Sequence, residues 1–157
     1  MITTRSVAHD SFSVERTYPV PPKRTFDAWA SESSKARWFA EDLGFFAAPG
    51  AYSLDFRIGG RERLDGTLIN GRAFGYEAVY QDIVDGERIV ASYDVRIDGQ
   101  RTSVSLMTVE FSATPSGTKL VLTEQGAFLD GLDTNAQRVD GATDMLDKLG
   151  AHLIGQS

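Results

Sequence analysis

The sequence predicts an α+β fold: a curved, seven-stranded antiparallel sheet wrapped around one long C-terminal helix, with two short helices after the first strand. Three observations carry this. Residues 52–126 alternate apolar and polar side chains and are punctuated by hairpin turns. The tail places Val139, Ala142, Leu146, Leu149 and Leu153 at spacings of three and four, the stripe of an amphipathic helix. A first alternating run is followed by prolines and two short apolar stripes.

The elements follow in chain order. Residues 1–9 read as a frayed lead-in. In "SFSVERTYPV", Phe12, Val14, Arg16 and Tyr18 share one face of a strand that Pro19, Pro21 and Pro22 terminate. Pro22 suits the first turn of a helix whose apolar side is Phe26, Trp29 and Ala30. "SESS" breaks it, and Ser33 or Ser34 is placed to cap a second helix ending near Trp38 and Phe39. The loop "GFFAAPGA" leads to strands expected near 52–58, 61–69, 73–83, 88–97, 103–113 and 118–126. Gly59-Gly60, Asn70-Gly71, Asp85-Gly86, Asp98-Gly99 and Pro115-Ser116-Gly117 supply the turns of an antiparallel meander. Asp133 or Thr134 can cap the last helix, Asp144 and Lys148 are spaced for an i,i+4 pair, and Gly141 predicts a bend or a close contact.

Composition narrows the function classes. At 157 residues the chain suits one domain, expected over 9–156. It has no cysteine, so thiolate metal sites and cysteine nucleophiles are excluded, and a reducing cytoplasm suits it. No signal-like or membrane-spanning apolar run is visible. With a net charge of −6 it lacks a global footprint for nucleic acid. Arg57, Arg61, Arg63 and Arg72 form either a local basic patch or ordinary charged strand edges. His9 and His152 sit near opposite ends and make no metal motif, and Asp82, Asp85 and Glu87 surround a turn. Phosphate-binding glycine loops and a nucleophile elbow are absent. No metal and no cofactor are expected.

Several stretches resemble a known family: "RTYPVPPKRTFDAWA" (16–30), Trp38, "DFRIGG" (55–60), "ERIVASYDV" (87–95), "SVSLMTVEF" (103–111), "GTKLVLTEQGAF" (117–128) and "DGATDMLDKLGAHL" (140–153). Together they resemble the heat-shock-protein-90 ATPase activator homologue branch of the START-like, or SRPBCC, superfamily, whose fold is called helix-grip. One departure is that Ala142 follows Gly141 where the family often has tryptophan, which leaves more room beside the helix. The resemblance implies a cavity between sheet and helix. Its superfamily binds lipids, sterols, polyketides and hormones, and includes cyclases and aromatases.

The candidate binding residues are Arg16, Trp38, Tyr93, Met107, Glu124, Phe128, Met145 and Leu149. Methionines and aromatics make an adaptable lining, while Leu146 and Leu149 are expected to be buried against the concave sheet. Glu124 stands out, because it continues the face of Leu120 and Leu122, so its carboxylate must lie at a wet rim, find a cationic partner or bind a ligand. The helix-grip order implied by the resemblance makes the first and last strands neighbours. Setting Arg16 opposite Glu124 brings Phe12 to Phe128 and predicts an Arg16–Glu124 pair. Three readings stay open: a carrier or sensor of a small hydrophobic ligand; a cyclase, dehydratase or hydrolase using Glu124 or Tyr93 as acid or base; and a co-chaperone-like interaction module. Catalytic residues are not assigned, and homodimerisation is left open.

Overall fold

The computed structural model describes residues 4–42, 46–48 and 50–155. Among them, β1 (Val7–Tyr18) leads into α1 (Pro22–Ala30), then α2 (Glu32–Lys35), which continues as a π-helical turn over Ala36–Glu41. Strands β2 (Phe46–Ala48), β3 (Tyr52–Leu54), β4 (Arg61–Leu68), β5 (Ala73–Val84), β6 (Arg88–Ile97), β7 (Gln100–Thr114) and β8 (Gly117–Leu129) follow, and α3 (Asn135–Gly155) closes the chain. All pairings are antiparallel, in the order β1-β8-β7-β6-β5-β4-β2, with β3 also on β4. The seven expected strands are present, and the short β2 is added to them. Part of the expected 44–51 loop lies outside the described residues.

Local chemistry explains most boundaries. Pro22 opens α1, and its apolar stripe buries Phe26, Ala28 and Trp29. Ser31, rather than Ser33 or Ser34, caps α2: its backbone is extended and its side chain accepts from Ser34 N. The strand expected over 52–58 stops at Leu54. Residues 55–60 instead fold into a tight turn docked on β5, with Gly59 N donating to Tyr80 O (2.8 Å) and Tyr80 N to Gly60 O (3.0 Å). Gly60 is required there, since a Cβ would lie 2.0 Å from Asp55 O. At the β6–β7 hairpin both Asp98 (φ 52°) and Gly99 (φ 79°) adopt the left-handed conformation that a type I′ turn needs. Thr134 caps α3 through Gln137 N (3.2 Å), and Asp133 Oδ1 takes Thr134 N (2.8 Å).

The core lies between the concave sheet face and the helices. Ile89, Ala91, Val109, Leu120 and Leu122 meet Leu146, Leu149 and Leu153 of α3, all essentially inaccessible to water. Phe26 and Trp29 of α1 pack edge-on against Phe111 of β7. Tyr18 Oη donates to the Leu146 carbonyl (2.8 Å), fixing β1 against α3. The glycine contact expected at Gly141 occurs at Gly150, where a Cβ would lie 3.0 Å from the Tyr18 ring; at Gly141 there is open space. Asp144 and Lys148 do not reach ion-pair distance among the described residues; Asp144 faces the cavity described below.

The neighbouring of β1 and β8 is as expected, but their register is shifted by four residues. Phe12 faces Glu124, and Arg16 faces Leu120. Strand β1 begins at Val7, inside the expected lead-in, and pairs through to Leu129. Arg16 therefore reaches α3 and binds Asp147 (3.0 Å) instead of Glu124.

Candidate functional site

The N-terminal half of α3 does not pack flush on the sheet. Below it lies a cavity of about 470 Å³, within the range of small-molecule sites. Its inner wall is apolar and aromatic, with Trp29, Phe39, Tyr76, Tyr93, Met107 and Met145 prominent. Its mouth lies between Asn70 and Arg72 of the β4–β5 hairpin and Leu132–Asp144 at the start of α3. Gly141 and Ala142 also line it, so two small residues stand where larger side chains would fill the space.

Of the eight residues expected at the site, Tyr93, Met107, Glu124 and Met145 line the cavity. Four do not. Arg16 is on the outer side of α3 with Asp147. Trp38 is fully buried in the core and donates its indole N–H to the Ala28 carbonyl (3.0 Å). Leu149 is core, one turn beyond Met145. Phe128 is buried beside Gly126, near the end of β8. Leu149 and Phe128 share a cause: periodicity places a residue on the inner face but does not say how far along that face the packing closes. Arg16 is displaced by the strand register, and Trp38 turns into the core from the π-helical turn.

Glu124 is mid-strand, not at a wet rim, and only 5% exposed. Tyr93, two strands away on β6, donates a short hydrogen bond to its Oε1. No other side-chain hydrogen bond to Glu124 and no ion pair is formed among the described residues. Burial pushes the Glu124 carboxyl up to about 7; the Tyr93 hydrogen bond and the Arg138 charge oppose the rise, and Asp133 adds to it. Arg138 is held by Asp133 (3.2 Å). The Tyr93 hydroxyl is in turn pushed far above its usual value by burial and the Glu124 charge. A carboxyl poised near neutrality beside a phenol can accept or return a proton, or bind a ligand's polar group.

A second polar cluster was missed by the sequence reading. Lys35 and Glu62, each 1% exposed at the side chain, form an ion pair at 2.7 Å. Tyr80 donates to Glu62 Oε1 (2.9 Å) and Tyr52 to Oε2 (2.5 Å). The Lys35 ammonium also lies 4.9 Å from the Phe39 ring and 5.1 Å from the Trp29 ring. A signal for it was present: Glu62 alternates onto the face of Leu64, just as Glu124 does onto that of Leu122. Its neighbours Arg61 and Arg63 give the segment the look of a charged strand edge, which masks the alternation. Arg57, Arg63 and Arg72 instead pair with Asp55, Asp65 and Asp98.

A family model described as activator of Hsp90 ATPase homolog 1-like protein matches residues 19–153. A structure of an uncharacterized protein from Rhizobium leguminosarum is 41% identical, with a TM-score of 0.92 over 98% of this chain and 100% of that one. The Mll3558 protein from Rhizobium loti is also 41% identical, with a TM-score of 0.85 over 94% and 99%. DynU16, a protein in the dynemicin biosynthetic locus, shares the fold at 16% identity and a TM-score of 0.67, over 92% of this chain and 47% of that one. No curated protein matches the sequence.

Proposed function

Because the chain belongs to the activator of Hsp90 ATPase homolog 1-like family, in the START-like superfamily whose members commonly bind hydrophobic ligands, we propose that it binds a small hydrophobic or amphipathic molecule, of lipid, polyketide or aromatic type, between the sheet and α3. The observation that carries this is the combination of an aromatic-walled cavity of about 470 Å³ with one buried carboxyl inside it. Apolar walls supply affinity by releasing water, and a few placed polar groups fix orientation. The binding residues are Tyr93, Met107, Glu124 and Met145, with Trp29 and Tyr76 added by the cavity's shape. The setting is cytoplasmic.

The test is native mass spectrometry of the purified protein for a co-purifying small molecule, followed by a melting-temperature screen against hydrophobic ligands. A bound molecule, or a ligand that raises the melting temperature of the native protein but not of Met107→Trp, supports the cavity. Absence of both turns the reading toward a protein-interaction module.

A second reading has a specific observation in its favour. Burial pushes the Glu124 carboxyl up to about 7 and Tyr93 gives it a phenol partner, the arrangement a general acid–base needs. If the ligand is turned over, Glu124→Gln abolishes product formation while the ligand still binds. Unchanged turnover in that variant would remove Glu124 from the chemistry.

A further inference from the structure

The charges around the cavity are not balanced. Three cations line it, and each is already held by an acid: Lys35 by Glu62 (2.7 Å), Arg72 by Asp98 (3.0 Å) and Arg138 by Asp133 (3.2 Å). Four acids line it, and only Asp133 among them has a cationic partner. Glu124 inside the cavity, and Asp140 and Asp144 one helical turn apart at its mouth, form no ion pair among the described residues. Asp140 and Asp144 sit at i,i+4, where like charges repel. A cation bound beside them relieves that repulsion.

We infer that the ligand of this cavity carries a basic nitrogen: it is an apolar or aromatic amine, with its ammonium group lying between the Glu124 and Asp144 carboxylates. The inference rests on the ligand-binding reading above and names the ligand's chemical class. The walls agree with it. Trp29, Tyr76 and Tyr93 present aromatic rings to the same space, and ring faces attract cations that have lost their water. The whole chain, at −6, draws cations toward the mouth and disfavours carboxylates. An anionic ligand would meet the four carboxylates around the cavity, and the cations it would turn to, Lys35, Arg72 and Arg138, are each already paired with an acid. A cationic ligand displaces nothing. The buried carboxyl also gains, because a cation nearby favours its charged form.

Three probes with one naphthalene body separate the possibilities by isothermal titration calorimetry: 1-naphthylmethylammonium, neutral 1-naphthalenemethanol and 1-naphthylacetate. At pH 7.5 the ammonium is expected to bind about tenfold tighter than the alcohol, the effect of one largely water-screened charge contact, and the carboxylate weakest. Glu124→Gln and Asp144→Asn should each reduce the preference, and the double variant should remove it. If the alcohol binds and the ammonium binds no better, the amine assignment is wrong and the cavity reading stands. If the preference persists unchanged in the double variant, it reflects overall charge, and the placement of the nitrogen is overturned. If none of the three binds, the cavity reading fails and the inference with it.

Discussion

Two buried glutamates, Glu62 and Glu124, invite comparison. Both continue an apolar strand face, both are at most 5% exposed, and both accept from tyrosine hydroxyls. They differ in what surrounds the charge. Glu62 has a lysine at 2.7 Å and two tyrosines, so every carboxylate oxygen is occupied. Glu124 has one tyrosine and no cation in ion-pair contact, and it borders open space. A buried charge that is fully answered belongs to the architecture. One that is only partly answered keeps a binding or proton-transfer capacity that the fold does not use. The same contrast runs along α3: Leu146, Leu149 and Leu153 fill the core, whereas Gly141, Ala142 and Met145 leave room.

The largest expected effect breaks the answered pair. Lys35→Met strands Glu62 without a counter-charge in a dry site and should cost about 3–5 kcal/mol in urea unfolding. Lys35→Met combined with Glu62→Gln should recover much of that loss. A single-variant loss below about 1 kcal/mol would show that water reaches Glu62, contrary to its burial. Next, Leu149→Ala in the closed half of α3 should cost about 2–5 kcal/mol, and Met145→Ala in the open half clearly less, because the cavity already exists beside it. Equal losses would erase the distinction between the two halves.

Glu124→Gln should act in the opposite direction to Lys35→Met. The folded carboxyl, at about 7, binds its proton more tightly than the unfolded one, at 4.5. Its contribution to stability is therefore greatest below pH 4.5 and is lost as pH rises through 7. The loss amounts to roughly 3 kcal/mol by linkage. Glu124→Gln, which cannot ionise, should match the native protein near pH 4.5 and exceed it by roughly that amount at pH 8. Chemical denaturation at both pH values checks this. The smallest effect is at the surface pair that replaced the expected one. Arg16→Gln loses the half-exposed contact with Asp147 and a local hydrogen bond to the Glu15 carbonyl, and should cost less than about 1 kcal/mol. A loss of several kcal/mol would mean that Arg16 answers a buried charge after all.

The fold was legible because periodicity and turn chemistry are local. The hairpin at Asp98-Gly99 and the stripe from Ala142 to Leu153 each needed only their own residues to be read. The register of β1 on β8 was not legible, since it depends on where both strands begin, and polar "VAHDS" gave little sign that β1 starts at Val7. The site was legible in part. Alternation identified Glu124 as an anomaly, and the same test applied to Glu62 would have found its cluster. What alternation could not supply was the partner: Lys35 reaches Glu62 from α2 through tertiary packing, while the Arg138 charge that acts on Glu124 is itself paired with Asp133. Nor could it supply the depth of closure that separates Trp38 and Leu149 in the core from Tyr93 and Met145 at the cavity.

The proposed chemistry of the cavity rests on Glu124 being buried without a cation that fully answers it. The direct measurement is a carbon-13 NMR titration of its side-chain carboxyl, assigned by the signal's absence in Glu124→Gln. A midpoint near 7 is expected, as burial without full compensation requires. A midpoint at or below the ordinary 4.5 would mean that the charge is already satisfied within the fold, and would contradict both the site and the ligand class assigned to it.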